Sequence, residues 1–325
     1  MKSVLITGGC GFIGSHLVEL FLSKKIKVIV LDKTGKRFSP DWLKDKKNKN
    51  LKLIYRDIRF SKIVNDCVKK VDYVIHLAAL ISIPHSYKKP EEHLTTNILG
   101  TFNVLEAVKK YKKKCIITST SETYGSGKYF PMDEYHSLSA QSPYAATKIS
   151  ADQLALSYYN SYDTKVKIVR PFNCYGPRQS PRAVIPNMIL QILDNQKKIY
   201  LGNIRTIRDY TFVKDLCNAF WLIYKSDKGY GQVFNVGSNN GYKIEDIFKK
   251  LKKVTNFKGK IKQQKKRYRP SKSEVTKLHA SNQKIKKLFK WKLEYSFNEG
   301  LKESVDWYKN NMSKFKKTKA SKYQI

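Results

Sequence analysis

Through the first half of the chain, short β-branched and apolar runs alternate with longer stretches in which apolar residues recur every three or four positions. The runs at 2–7, 27–31, 51–55, 73–76, 115–118 and 166–170 predict strands. The stretches at 12–24, 61–69, 92–112 and 144–161 predict helices. Strands separated by helices imply βαβ units and a doubly wound parallel sheet covered on both faces. After 170 the rhythm breaks. Pro171, Pro177, Pro181 and Pro186 punctuate a loop-rich stretch, and one late strand is predicted at 233–236. The expected fold is α/β: a Rossmann-type nucleotide-binding domain from 1–172 and 208–237, with a smaller α/β substrate domain from 173–207 and 238–311. The stretch 258–269 is strongly basic, and 312–325 is expected to be a mobile basic tail.

Hydrophobic residues make up 41% of the chain and aromatics 12%, enough for a large core. No apolar run reaches ~18 residues, so no membrane span is predicted. The first residues lead into a strand-like segment, without the pattern of a signal peptide. Cys10, Cys67, Cys115, Cys174 and Cys217 are scattered and form no Cys-x-x-Cys pair. This predicts a reducing, cytoplasmic setting with neither a disulfide framework nor a metal site. Lysine and arginine total 64 against 26 acidic residues, a net charge of +38. The lysines fall largely in surface-like stretches such as 44–49, 109–114 and 249–253, and no DNA- or RNA-binding signature accompanies them. No specific nucleic-acid partner is therefore expected, although the field favours an anionic substrate.

Two clusters carry candidate chemistry. Thr7-Gly8-Gly9-Cys10-Gly11-Phe12-Ile13-Gly14 joins the first predicted strand to the first predicted helix. Glycines there permit a tight turn, a close approach of backbone to a pyrophosphate, and helix–strand packing. The helix N-terminus offers amide donors to the phosphates. Asp32, after the second strand, can accept from both ribose hydroxyls of NAD and would repel the 2′-phosphate of NADP. Lys33, Lys36 and Arg37 lie close by in sequence. The second cluster begins with Ser119-Thr120-Ser121-Glu122-Thr123-Tyr124-Gly125, directly after the fifth strand, where ligands bind in parallel sheets. It continues with Tyr144-Ala145-Ala146-Thr147-Lys148, whose spacing puts Tyr144 and Lys148 on one helical face. A nearby ammonium favours the phenolate and brings tyrosine toward useful basicity. His76, at a strand end, is expected to pack rather than react.

The glycine loop, Leu77-Ala78-Ala79, Asn97, the Ser119–Gly125 run, Tyr144 with Lys148, Arg170-Pro171-Phe172-Asn173 and Arg208-Asp209-Tyr210 together resemble the extended short-chain dehydrogenases/reductases. That family contains the NAD-dependent sugar-nucleotide epimerases and dehydratases, and the resemblance covers about residues 1–310. The runs Gln141–Gln153, Gly176–Pro186 and Arg269–Val275 (Arg269-Pro270-Ser271-Lys272-Ser273-Glu274-Val275) are similar to the 4,6-dehydratases of legionaminic acid synthesis. Those act on nucleotide-activated N-acetylglucosamine.

The resemblance implies NAD contacts at Gly8, Gly11, Phe12, Ile13, Gly14, Asp32, Asp57, Ile58, Leu77, Ala78, Ala79, Asn97, Tyr144 and Lys148, with Asp57 beside the adenine. It implies catalytic roles for Thr120, Glu122, Tyr144 and Lys148. Ser121, Asn173, Arg182, Arg208 and Arg269 take positions that contact a nucleotide-diphosphate sugar. It also implies a homodimer formed through the 92–112 and 144–161 helices. The chain departs from the glucose dehydratases in having Ser121 where they carry Asp, and sugar-nucleotide decarboxylases share its Ser-Thr-Ser-Glu run. A 4-epimerase or decarboxylase on the same fold is therefore the alternative. A non-catalytic nucleotide- or nucleic-acid-binding protein is the alternative of a different class.

Overall fold

The computed structural model describes residues 2–33 and 41–315. Among these residues twelve strands are formed: β1 (Ser3–Thr7), β2 (Lys27–Asp32), β3 (Leu51–Tyr55), β4 (Tyr73–His76), β5 (Lys114–Thr118), β6 (Val166–Pro171), β7 (Asn173–Tyr175), β8 (Lys198–Leu201), β9 (Ile207–Phe212), β10 (Val233–Val236), β11 (Gly241–Lys243) and β12 (Lys260–Gln263). Seven make one parallel sheet in the order β3-β2-β1-β4-β5-β6-β10. The order reverses between β1 and β4, which opens a crevice beyond their carboxyl ends.

Both sheet faces are buried, so the strands are apolar at nearly every position instead of alternating. In β1, Val4 and Ile6 point to the face covered by the Phe12–Ser23 and Val213–Lys225 helices, with Leu17, Phe21, Leu216 and Phe220 in that core. Leu5 points the other way, into a core with Val64, Val68, Val104, Val108 and Ala155. These come from the Ser61–Val68, Gly100–Lys110 and Pro143–Tyr162 helices.

The region read as one helix over 92–112 is three consecutive pieces: an α turn at Pro90–His93, a π-helical turn at Leu94–Leu99, and the α-helix Gly100–Lys110. The wider π turn holds Asn97, which is buried. After β6 the chain is more ordered than its prolines suggest. β7, β9 and β11 form a small mixed sheet, and β8 pairs with β12 in parallel. Part of the basic 258–269 stretch is thus strand. The expected tail from 312 begins as a 3-10 turn, Met312–Phe315, with Phe315 buried against Trp42, Trp307 and Tyr308. The rest of that tail, 316–325, lies outside the described residues.

A buried ionic knot ties β5, β6 and the Pro143–Tyr162 helix together. Asp152 accepts from Ser119 Oγ (2.7 Å) and from Arg170 Nε (3.0 Å), with Arg170 Nη2 also at 2.9 Å. Arg170 Nη1 in turn donates to Tyr124 Oη (3.1 Å), which donates to Asn235 Oδ1 (2.7 Å). The side chains of Asp152 and Arg170 are 0% and 3% exposed, so neither charge has water to fall back on. Arg170→Ala would strand the carboxylate, and a loss of about 3–5 kcal/mol is expected. Urea denaturation of the variant measures it. A loss below ~1 kcal/mol, the level of a surface pair, would show that the knot is not what joins these elements.

Candidate active site

The glycine loop follows β1 and leads into the Phe12–Ser23 helix. Gly8 has φ +71°, and a Cβ there would lie 2.7 Å from the Ala78 backbone nitrogen. A Cβ on Gly14 would lie 2.2 Å from the Gly8 carbonyl oxygen, so only glycine lets the first helical turn close on the loop. The helix N-cap is Gly11, which has no side chain to satisfy the leading amides, and they remain available to an anion. Asp32 ends β2 and accepts from the Cys10 amide at 2.8 Å, which fixes its carboxylate beside the loop. Burial holds that carboxyl up at about 6. Lys33 does not pair with Asp32: its ammonium lies 3.1 Å from Asp57, which also binds Arg59 at 2.8 Å. These two cations hold the Asp57 carboxyl below its ordinary range against the effect of burial. Lys36 and Arg37 lie outside the described residues.

The far wall of the crevice is built on β4. Leu77 donates its amide to the Thr7 carbonyl (3.1 Å), and Ala78 donates to Thr7 Oγ1 (3.2 Å). His76 bridges Thr7 Oγ1 (2.7 Å) and Thr101 Oγ1 (3.0 Å) and is held neutral by burial, with its pKa pushed down to about 3, as a packing histidine should be. Asn97 accepts from the Leu80 amide (2.8 Å), donates to the Leu80 carbonyl (2.9 Å) and donates to Thr147 Oγ1 (3.0 Å). It thereby locks the loop after β4 to the helix that carries Tyr144. Ile58 is buried, and a Cβ on Gly100 would lie 2.4 Å from its Cδ1.

The 3-10 turn Ser121–Tyr124 follows β5 and is capped by Thr120, whose hydroxyl accepts from the Glu122 amide at 3.2 Å. The Thr120 side chain favours ionisation of the Tyr144 phenol, and Glu122 is close enough to oppose it. Tyr144 and Lys148 lie on the first turns of the Pro143–Tyr162 helix, which starts where Ser142 Oγ accepts from the Ala145 amide. Both are buried. Lys148 Nζ donates to the Thr118 carbonyl at 2.7 Å, and no hydrogen bond joins it to Tyr144. The expected contact that lowers the tyrosine pKa is thus replaced by a less direct arrangement. Burial raises the phenol well above its ordinary value, with the Thr120 side chain opposing. Burial also lowers Lys148, with Asp152 opposing.

The substrate-side residues are placed unevenly. Ser121 is buried within the turn. Arg208 and Arg269 reach the same carboxylate-lined corner as Glu122. Arg208 Nη2 lies 3.4 Å from Glu274 Oε1, and Arg269 Nη1 lies 3.7 Å from Glu122 Oε1. Asn173, at the start of β7, has a buried side-chain oxygen with no hydrogen-bond partner. Arg182 precedes the Val184–Leu193 helix, with its amide 3.4 Å from Ser180 Oγ.

Sequence reasoning missed four residues of this site. Asp152 stands four positions after Lys148, and that spacing was a usable signal. Glu274 lies within the Arg269–Val275 run, but nothing local gives it a role, since its partner Arg208 is 66 positions away. His85 and His93 contact each other at 3.2 Å, and the buried His93 ring meets the Tyr144 ring edge-on with centroids 6.1 Å apart. Burial pushes His93 down to about 4.

Among the described residues no helix is long and apolar enough to cross a membrane. The profile of the family described as GDP-mannose 4,6 dehydratase matches residues 5–304. A UDP-N-acetyl-alpha-D-glucosaminuronate decarboxylase from Bacillus cytotoxicus is 32% identical over 318 residues, 95% of this chain and 98% of the relative. Among solved structures, the epimerase Mth375 from Methanothermobacter thermautotrophicus superposes with a TM-score of 0.90 at 27% identity, covering 98% of this chain and 95% of that one. DesIV, a dTDP-glucose 4,6-dehydratase from Streptomyces venezuelae solved with NAD bound, gives 0.89 at 26%, covering 97% and 99%. A glycine cradle at the sheet's switch point and a tyrosine–lysine helix beside it thus occur in a chain matched over nearly its whole length, and the protein belongs to the GDP-mannose 4,6 dehydratase family of extended short-chain dehydrogenases/reductases.

Proposed function

We propose that this protein is a nucleotide-sugar 4,6-dehydratase that converts nucleotide-activated N-acetylglucosamine to the 4-keto-6-deoxy sugar, as in legionaminic acid synthesis. One observation carries the reading. Glu122 shares a short turn with Thr120, and both bear on the Tyr144 phenol, Thr120 favouring its ionised form and Glu122 opposing it. A carboxylate separate from the tyrosine is what loss of water requires and simple inversion at C4 does not.

The cofactor is NAD. The residues fit it: a Cβ would fill the cradle at Gly8, the first helical turn is uncapped, and the Asp32 carboxylate stands at the end of β2. Gly8, Gly11, Phe12, Ile13 and Gly14 would hold the pyrophosphate, Asp32 the ribose hydroxyls, and Asp57 and Ile58 the adenine. Leu77, Ala78, Ala79, Asn97, Tyr144 and Lys148 would line the nicotinamide end. When bound, NAD supplies the oxidant for C4 and, later in the same turnover, the reductant for C6.

Tyr144 takes the proton of the C4 hydroxyl, and Thr120 donates a hydrogen bond to the developing C4 oxygen. Burial and the Glu122 carboxylate oppose the phenolate and the Thr120 hydroxyl favours it, while Lys148, held on the Thr118 carbonyl, would add its charge only by turning to the tyrosine once cofactor and substrate are bound. The C4 ketone acidifies C5–H. Glu122 removes that proton and protonates the C6 hydroxyl as it departs as water. Ser121, Asn173, Arg182, Arg208 and Arg269 hold the nucleotide-sugar, the arginines by paired donation to phosphate. In this reading 1–172 with 208–237 form the cofactor unit and 173–207 with 238–311 the substrate unit, and the enzyme works in the cytoplasm. Decarboxylation is the second reading, favoured by the Ser119-Thr120-Ser121-Glu122 run. Release of carbon dioxide would distinguish it.

Glu122→Gln should retain NAD binding and C4 oxidation, while water loss falls about 10²–10⁴-fold. Product mass spectrometry and nicotinamide absorbance read the two steps separately. Normal dehydration by the variant would remove Glu122 from the mechanism.

Cofactor choice should depend on pH. The Asp32 carboxyl, raised to about 6, is charged above that pH and neutral below it. Preference for NAD over NADP should therefore be greatest above pH 7 and shrink as pH falls through 6. Calorimetric titration of both cofactors measures it, and equal affinities at pH 8 would refute the role of Asp32.

Leu94, Leu99, Phe102 and Tyr162 are exposed on the helices expected to pair two subunits. The protein should be at least a dimer by light scattering at micromolar concentration. A particle of single-chain mass would exclude it.

A further inference from the structure

Four charged side chains from three parts of the chain meet beside the turn that follows β5. Glu122 comes from that turn, Arg208 from β9, and Arg269 and Glu274 from the segment after β12. Two guanidinium groups and two carboxylates cancel in net charge. The two pairs are not equivalent. Arg208 is buried, and besides Glu274 its Nη1 donates to the Ile207 carbonyl (3.0 Å) and the Thr276 carbonyl (3.4 Å). Its position is set by the backbone. Arg269 reaches Glu122 only at 3.7 Å, beyond hydrogen-bond distance, and its Nη1 is buried with no acceptor at all. A buried guanidinium nitrogen with no acceptor has unmet demand for an anion.

The backbone around Arg269 is anchored. Ser273 Oγ donates to the Gln141 carbonyl and shares a 2.5 Å hydrogen bond with Tyr87 Oη, and Gln141 Nε2 donates to the Lys272 carbonyl at 3.2 Å. These contacts fasten the segment to the loop that leads into the Tyr144 helix. The Arg269 side chain can therefore change partner while its backbone stays fixed.

We propose that Arg269 is a positioning residue that couples binding of the substrate's diphosphate to the readiness of Glu122: in the free enzyme it holds the carboxylate, and the diphosphate takes the guanidinium away. This rests on the dehydratase reading for the identity of the ligand. Phosphate is the stronger partner, because it offers the fork of the guanidinium two short charge-assisted bonds that Glu122 does not make. Once released, Glu122 is free to turn to C5 and C6 of the sugar. A sugar without its diphosphate leaves the acid/base group paired. The diphosphate thus acts as a trigger for the chemistry as well as a handle for binding.

If Glu122 competes with the ligand for Arg269, removing its charge must tighten binding while it damages catalysis. The test is calorimetric titration of UDP, GDP and dTDP into the NAD-loaded protein and into Glu122→Gln, Arg269→Gln and the double variant. Glu122→Gln should bind the accepted nucleotide about 3- to 30-fold tighter, the range of a partly buried ion pair. In the Arg269→Gln background the same substitution should give no gain, since the guanidinium it acts through is gone. Glu122→Ala removes the same charge and should show the same gain, which serves if the glutamine variant fails to fold. Unchanged or weaker binding in the folded charge-removed variant would overturn the proposal, and so would a gain that survives in Arg269→Gln. Binding of none of the three nucleotides would overturn it as well. Water loss by Glu122→Gln is read separately: normal dehydration would defeat the catalytic assignment, while the affinity cycle would still decide the exchange.

Discussion

Lys148 and Asp152, one helical turn apart, hold two consecutive residues at the end of β5. The ammonium takes the Thr118 carbonyl and the carboxylate takes the Ser119 hydroxyl, both at 2.7 Å. That grip fixes where the strand ends relative to the helix. The turn starting at Thr120 therefore emerges beside Tyr144, and Glu122 comes with it. Arg170 neutralises the far side of Asp152 and carries the restraint into β6. Loss of this clamp would leave every candidate catalytic group in place in the sequence and unplaced in space. Catalytic constellations tolerate displacements of only a fraction of an ångström, so a buried ionic clamp is a reasonable device despite its desolvation cost.

Burial works against the ionised forms throughout the pocket. It lifts the Tyr144 phenol, lowers the Lys148 ammonium and raises the Asp32 carboxyl to about 6. Each effect is countered by close neighbours: the Thr120 side chain for the phenol, Asp152 for the ammonium, and the Cys10 and Lys33 amides for Asp32. In each case burial prevails, so the phenol stays protonated in the free site until a neighbour or the bound substrate favours its ionised form. The net charge of +38 acts at longer range, where it favours the approach of anions without specifying one.

Much of this architecture was legible because it is local. The glycine loop, the β-branched runs and the four-residue spacing of Tyr144 and Lys148 each declare themselves within a few positions. The strands β3, β4 and β10 coincide with their predicted spans at both ends. What stayed hidden depends on distance or on a small irregularity. The π turn at Leu94–Leu99 adds no change in hydrophobic pattern, so the stretch reads as one helix even though that turn is what packs Asn97 inward. β8 and β12 pair across some sixty residues; β8 is only four residues long and β12 is polar and lysine-rich, so neither gives a clear strand signal. The pairing of Arg208 with Glu274, and of Arg269 with Glu122, follows from how distant segments fold over the site. Phe315, in a stretch otherwise rich in lysine, is buried because Trp42, Trp307 and Tyr308 leave an aromatic socket for it.

The central claim is that one pocket oxidises C4, loses water across C5 and C6, and reduces C6 before the intermediate leaves. Holding the reacting carbons together makes that last step effectively unimolecular, so solvent cannot compete for the transferred hydrogen. The decisive measurement is NMR of the product formed from nucleotide-activated N-acetylglucosamine deuterated at C4. Deuterium should appear at C6 of a 4-keto-6-deoxy sugar, and unlabelled substrate turned over in heavy water should gain deuterium at C5. Deuterium returned to C4 with the C6 hydroxyl intact would contradict the dehydratase and establish an epimerase instead.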